Sequence, residues 1–170
     1  SRKVSRLLYS SLYSLLQERR FSISEGLNIA IKIAEALRTI HKKHIIHADI
    51  NPKNIIYNME TKELQIIDFG YSVIDNHFRY NSDSDVGTSG NLMYMSPEQT
   101  GRTKQRIDSR SDLYSLGMSL YHLFSGRFPY EAKDRYELIH KQIALRPEPI
   151  EQYIENFPSL LSLIINRLTA

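Results

Sequence analysis

The segment that most restricts how this chain can fold runs from His47 to Gly70, HADINPKNIIYNMETKELQIIDFG. It sets Asp49, Asn54 and Asp68 among β-branched runs, where an unpaired carboxylate is expensive. Such groups either lie in loops beside a core or converge on a cation. The runs NIIYN and LQIID, separated by METKE, predict a small β-hairpin. The remainder of the chain decides between the two readings.

Upstream, Ser22 and Glu25 in SISE form a capping box. Leu27, Ala30, Ile31, Ala34, Leu37 and Ile40 then recur at three- and four-residue steps, which predicts one buried face of a long helix ending near His41. Residues 70–101 are rich in Ser, Asn, Asp and Gly and carry no sustained period, so a long ordered loop is expected, usually a functional feature in a compact domain. Beyond it, Leu113, Leu116, Leu120 and Leu123 mark a helix stopped by Gly126. DRYELIHKQIA predicts another, PEPI breaks it, and a last helix starts near Pro158. The layout is mainly α with a small β-hairpin.

At 170 residues the chain holds one hydrophobic core. Lys and Arg number 22 against 19 acids, a small and dispersed excess without any basic run, so nucleic acid is not an expected partner. Cysteine is absent, which removes disulfides, thiolate metal sites and a cysteine nucleophile. No apolar run approaches the ~18 residues of a membrane span, and no cleavage site follows the first residues. A cytoplasmic location is expected. The chain opens without Met and stops inside LLSLIINRLTA before any helix stop signal, so it reads as a piece of something longer.

Phosphoryl transfer asks a protein mainly to position groups and to neutralise charge spread over phosphate oxygens. Mg²⁺, held by one or two carboxylates plus substrate phosphates, is the usual means. Asp68 as carboxylate and Asn54 as carbonyl suit that need, and Asp49 suits the acceptance of a proton from an incoming hydroxyl. HADINPKN resembles the H-x-D-x-x-x-x-N catalytic loop of protein kinases, DFG follows, and YMSPEQ resembles the Ala-Pro-Glu segment that closes a kinase activation loop. SDLYSLG, with Asp112 and Gly117, is similar to the central helix of the kinase C-terminal lobe.

The resemblance implies a kinase-like C-terminal lobe over residues 1–170, an α+β fold with its N-terminal lobe missing, with a catalytic loop at 47–54 and an activation segment at 68–98. It implies ATP and Mg²⁺ as cofactors and a protein substrate, with transfer to Ser or Thr more than to Tyr. Asp49 would be the catalytic base and Asn54 and Asp68 the metal ligands, while Asn51 and Lys53 lie where kinases carry charge support. His47, Phe69, Gly70, Glu98 and Asp112 would be structural, with His47 packed beneath the catalytic loop and Asp112 bracing its backbone. A narrower likeness is to kinase domains that open large multi-domain signalling proteins. That likeness implies further domains of its own chain as partners.

Several positions depart from the family pattern. Ala48 replaces the Arg that usually receives an activation-loop phosphate, so phosphorylation of Tyr80, Ser82, Ser84 or Thr88 is not expected to order the loop by that route. Asn51 stands where Ser/Thr kinases have Lys, with Lys53 as a substitute source of charge. Asn91 falls where a Thr normally contacts the catalytic aspartate, and an amide can still donate to a carboxylate. No Gly-rich loop and no Val-Ala-Ile-Lys strand precede residue 22, so the chain by itself is expected to transfer phosphate poorly.

Plainer readings accompany each motif. His41, His44 and His47 stand three apart and can be read as a metal cluster. Asp112 can be read as a helix cap, a task Ser109 or Ser111 can share. Glu98 can be a solvated charge. The family instead implies a buried pair with an Arg beyond Ala170, not with Arg167, and losing that partner would cost about 3 to 5 kcal/mol. Three functions therefore stand side by side: an ATP-dependent protein kinase, a pseudokinase or docking module, and an unrelated helical interaction domain.

Overall fold

The computed structural model describes residues 9–74 and 91–170. Strand β1 (Tyr9–Ser11) runs into α1 (Leu12–Glu18), and α2 (Ile23–His41) follows. Short strands β2 (Ile45–Ile46), β3 (Ile55–Asn58), β4 (Leu64–Ile66) and β5 (Val73–Ile74) come next. The second half holds a 3₁₀ turn at Pro97–Thr100, α3 (Ser109–Ser125), α4 (Arg135–Ala144), a 3₁₀ turn at Ile150–Gln152 and α5 (Ser159–Leu168). Among the described residues no helix is long and apolar enough to cross a membrane.

The expected hairpin is β3–β4, with Ile55 opposite Ile66 and Tyr57 opposite Leu64. Asn58 makes its turn, because its side-chain oxygen accepts the amides of Glu60 and Thr61 and so replaces strand hydrogen bonds at the bend. Two features go beyond expectation. β1 adds a third strand against β3, and β2 pairs with β5 in a separate ribbon. Strands of two or three residues carry too little alternation to be read from sequence. α1 was likewise unforeseen, since its serines and tyrosines mask the buried Leu12, Leu15 and Leu16.

Ser22 caps α2 through the expected box: its hydroxyl accepts the Glu25 amide at 3.2 Å while the Glu25 carboxylate accepts the Ser22 amide at 2.9 Å. The buried face differs from the predicted one. Ile29, Ala30, Ile33 and Leu37 are buried, whereas Leu27 and Ile31 are exposed. The helix is apolar over a wide arc, and Gly26 decides which part faces inward. A Cβ there would lie 2.4 Å from Phe124 Cε1, so the glycine lets α3 approach at that point.

α3 lies between α2 and α5 and is buried on most of its sides, while Leu113 at its start stays exposed. Gly117 allows the approach of α5, since a Cβ would meet Leu168 Cβ and Thr169 Cγ2 at 2.7 Å. Gly126 ends α3 with φ 65°, the left-handed conformation glycine takes without strain. One apolar core joins α1, α2, α3 and α5, and a smaller one packs Leu92 and Tyr94 against Tyr114, Met118, Tyr130 and Leu138. Ile50 anchors the segment 47–54 in the larger core.

Candidate active site

The loop after α2 is fixed from below by a single carboxylate. Asp112, in the first turn of α3, is fully buried; its oxygens accept the amide of His47 at 2.9 Å and that of Ala48 at 2.8 Å. His41, at the end of α2, adds its Nε2 at 2.8 Å. Asp112 is therefore not the helix cap. Asp108 fills that role, accepting the Arg110 amide at 2.8 Å. Two backbone amides on one buried aspartate leave the chain little choice of path at residues 47–48.

His47 is fully buried, its ring 4.7 Å from that of the half-exposed Phe69. Its Nε2 lies 3.1 Å from the Ile67 carbonyl, and its Nδ1 accepts the Asp49 amide at 3.3 Å. With a hydrogen on Nε2 the ring donates to the Ile67 carbonyl while Nδ1 accepts the Asp49 amide. These contacts tie the DFG stretch to the loop 47–54, and the Ile67 amide on the Asn54 carbonyl at 2.9 Å completes the tie. Of the other histidines in HKKHIIH, His41 is taken by Asp112 and His44 is exposed at φ 56°.

Asp49 sits in a cage of side-chain amides. Asn51 donates to it at 2.8 Å, Asn54 at 2.7 Å, and Asn91 reaches both oxygens at 3.0 and 3.1 Å. Burial pushes the Asp49 pKa up; the bonds from Asn54 and Asn51 oppose it without cancelling it, and the nearby Asp68 charge adds to the rise. A carboxylate raised in this way holds a proton more readily, which suits a base. Asn51 uses its oxygen to accept the Lys53 amide, so the loop is bonded within itself as well.

Asp68 is exposed and left-handed at φ 65°, a conformation aspartate tolerates, and its Oδ1 accepts the Gly70 amide at 3.2 Å. Among the described residues the Asn54 side-chain oxygen accepts no hydrogen bond. The Asn54 carbonyl oxygen and the Asp68 carboxylate are of the hard donor type Mg²⁺ prefers. Among the described residues no group of three His, Cys, Asp or Glu is placed to hold a metal.

Lys53 does not join this group. Its ammonium lies over the Tyr13 ring of α1, 5.3 Å from the centroid, and among the described residues it forms no ion pair with Asp49. Glu98 is partly buried and accepts the Ser111 hydroxyl at 2.5 Å. Tyr80, Ser82, Ser84 and Thr88 lie outside the described residues. Sequence reasoning passed over His41 as a partner of Asp112, and over Gln99, whose side-chain amide donates to the Ala48 carbonyl at 2.6 Å. The S-x-x-Q spacing of Ser96 and Gln99 was the available signal, and the two do form a capping box.

The protein kinase domain family matches this chain over residues 6–166. The chain belongs to that family. It is 29% identical, over 92% of its length, to Hybrid signal transduction histidine kinase G of Dictyostelium discoideum, of which it covers 6%. Serine/threonine-protein kinase pkn2 of Myxococcus xanthus is 30% identical over 93% of the chain, which covers 20% of that protein. The calcium and calcium/calmodulin-dependent serine/threonine-protein kinase of Lilium longiflorum is 35% identical over 72% of the chain, with 23% of it covered. The chain thus spans less than a quarter of each of these relatives.

Proposed function

We propose that this chain is the catalytic lobe of a protein kinase that transfers the γ-phosphoryl group of ATP to a protein hydroxyl, on Ser or Thr in preference to Tyr. The observation that carries the reading is the Asp49 cage: a partly buried carboxylate with raised proton affinity, oriented by Asn51, Asn54 and Asn91. Asp49 orients the acceptor hydroxyl and takes its proton as the oxygen attacks. Asn54 and Asp68 would hold Mg²⁺. Bound Mg²⁺–ATP supplies the phosphoryl group and offsets the charge spread over its oxygens. The relatives named as serine/threonine kinases support the choice of acceptor.

Residues 47–54 serve as the catalytic loop and 68–98 as the activation segment, with a second lobe covering the nucleotide. The protein works in the cytoplasm, in signal transduction, and its nearest partners are further domains of its own chain. That the first of the relatives above is a hybrid signalling protein supports this part of the reading. A docking module is the second reading. The turn of Lys53 toward Tyr13, which leaves Asp49 without a cation from this loop, favours it.

The test is transfer from γ-labelled ATP in the full-length protein, followed by phosphoamino-acid analysis. Phosphoserine or phosphothreonine is expected. Asp49→Ala should lower turnover by about 1,000-fold or more while nucleotide binding persists. Undiminished turnover in the variant would reject the base, and a wild-type protein that binds partners but transfers nothing would favour the docking module.

A further inference from the structure

Ala48 is held at φ 62°, a left-handed conformation that a residue with a Cβ keeps only when its surroundings impose it. Its amide is bound by Asp112 at 2.8 Å, and its carbonyl accepts the Gln99 side-chain amide at 2.6 Å. Both ends of this residue are therefore clamped, and the next residue is Asp49. The Asp112 clamp is shared with His47 and belongs to the bracing described above. The Gln99 clamp comes from a different element, the 3₁₀ turn Pro97–Thr100.

The orientation of Gln99 is not free. Its Oε1 accepts the Ser96 amide at 3.2 Å and the Ser96 hydroxyl at 2.9 Å, so only the Nε2 side can face Ala48. The side chain is buried, and Ala48, Asp49, Asn91 and Gln99 together line a cavity of about 10 Å³, roughly the room of one water. Here the segment ending at Thr100 meets the catalytic loop through neutral amides. The chain carries Ala48 at the position where a phosphate-binding arginine would make that connection electrostatically.

We propose that Gln99 is a positioning residue for the transfer reaction: it holds the Ala48 carbonyl, and through it the left-handed turn that aims Asp49, so that the end of the activation segment and the catalytic loop are coupled without a phosphate. The proposal rests on the kinase reading. Removing the clamp strands the Ala48 carbonyl and frees the turn, and a displacement of about 1 Å at a reacting group costs up to about 100-fold in rate.

The experiment uses the full-length protein with Gln99→Leu and Gln99→Glu, measuring kcat, the KM for ATP, and amide hydrogen exchange over residues 44–54. For Gln99→Leu, kcat should fall by about 30-fold with the KM for ATP within about twofold. Exchange at Ala48 and Asp49 should speed up while α2 and α3 keep wild-type protection. A glutamate at 99 repels the Ala48 carbonyl when ionised and donates to it when protonated. Burial at this position raises a carboxyl above its ordinary range, so for Gln99→Glu the ratio of variant to wild-type kcat should rise as the pH is lowered from about 8 to about 5. Wild-type kcat and exchange in Gln99→Leu would overturn the proposal, as would a loss of kcat accompanied by general loosening of α2 and α3. If the wild type transfers no phosphate, the kinase reading fails, and the exchange data still decide whether Gln99 holds the loop.

Discussion

Two aspartates close together in the fold, Asp112 and Asp49, are held in opposite ways. Asp112 is fully buried and answers mainly to backbone: the amides of His47 and Ala48, with the His41 ring beside them. Asp49 is partly buried and answers to side chains, the amides of Asn51, Asn54 and Asn91. Backbone donors do not move without a change of fold, whereas side-chain amides can turn away when a ligand arrives. The first arrangement makes a fixture and the second a tool. The same residue type, far apart in the chain but meeting at one loop, serves structure in one place and, in the proposed reading, chemistry in the other.

Asp112→Ala should separate the two most sharply. It strands two buried amides and the His41 ring, and the loss of stability should reach about 3 to 5 kcal/mol in a chemical denaturation measurement. Transfer activity should vanish with it. If stability held within about 1 kcal/mol, Asp112 would not be the fixture described here.

Asn91→Ala acts on the other aspartate and should show the reverse balance. Turnover should drop by about 10-fold through a less constrained Asp49, while the unfolding free energy moves by about 1 kcal/mol or less. Asn91→Thr, which restores the residue the family usually has there, should recover most of the rate. A variant that lost stability and kept its rate would erase the contrast between the two acids.

The legible part of this molecule was the part with long-range regularity. The capping box at Ser22, the Gly126 stop and the hairpin at 55–66 each follow from local chemistry repeated over several residues. The buried face of α2 was misjudged because the helix is apolar over a wide arc, and the deciding contact, Phe124 on Gly26, comes from about a hundred residues further along the chain. The motifs were legible as an ordered set, and the structure brings Asn54 and Asn91 onto Asp49 and Asp112 onto the His47 amide. Lys53 was not, because a lysine's reach is set by what it can rest on, here the Tyr13 ring of a helix that sequence periodicity did not reveal. Gln99 escaped notice for a related reason: its partner is a backbone carbonyl, which no residue type announces.

Asp49 also carries a definite pH signature. Burial raises its folded pKa above the ordinary 3.8, so as pH climbs from that value through the folded midpoint the unfolded chain gives up this proton first and the group works against folding. Stability from this site is therefore lost, not gained, over that window. The most direct measurement is the ¹³C carboxyl titration of Asp49 in the full-length protein, assigned by the signal that disappears in Asp49→Asn. A midpoint above 3.8 is predicted, because desolvation outweighs the amide donors; a midpoint at or below 3.8 would contradict it.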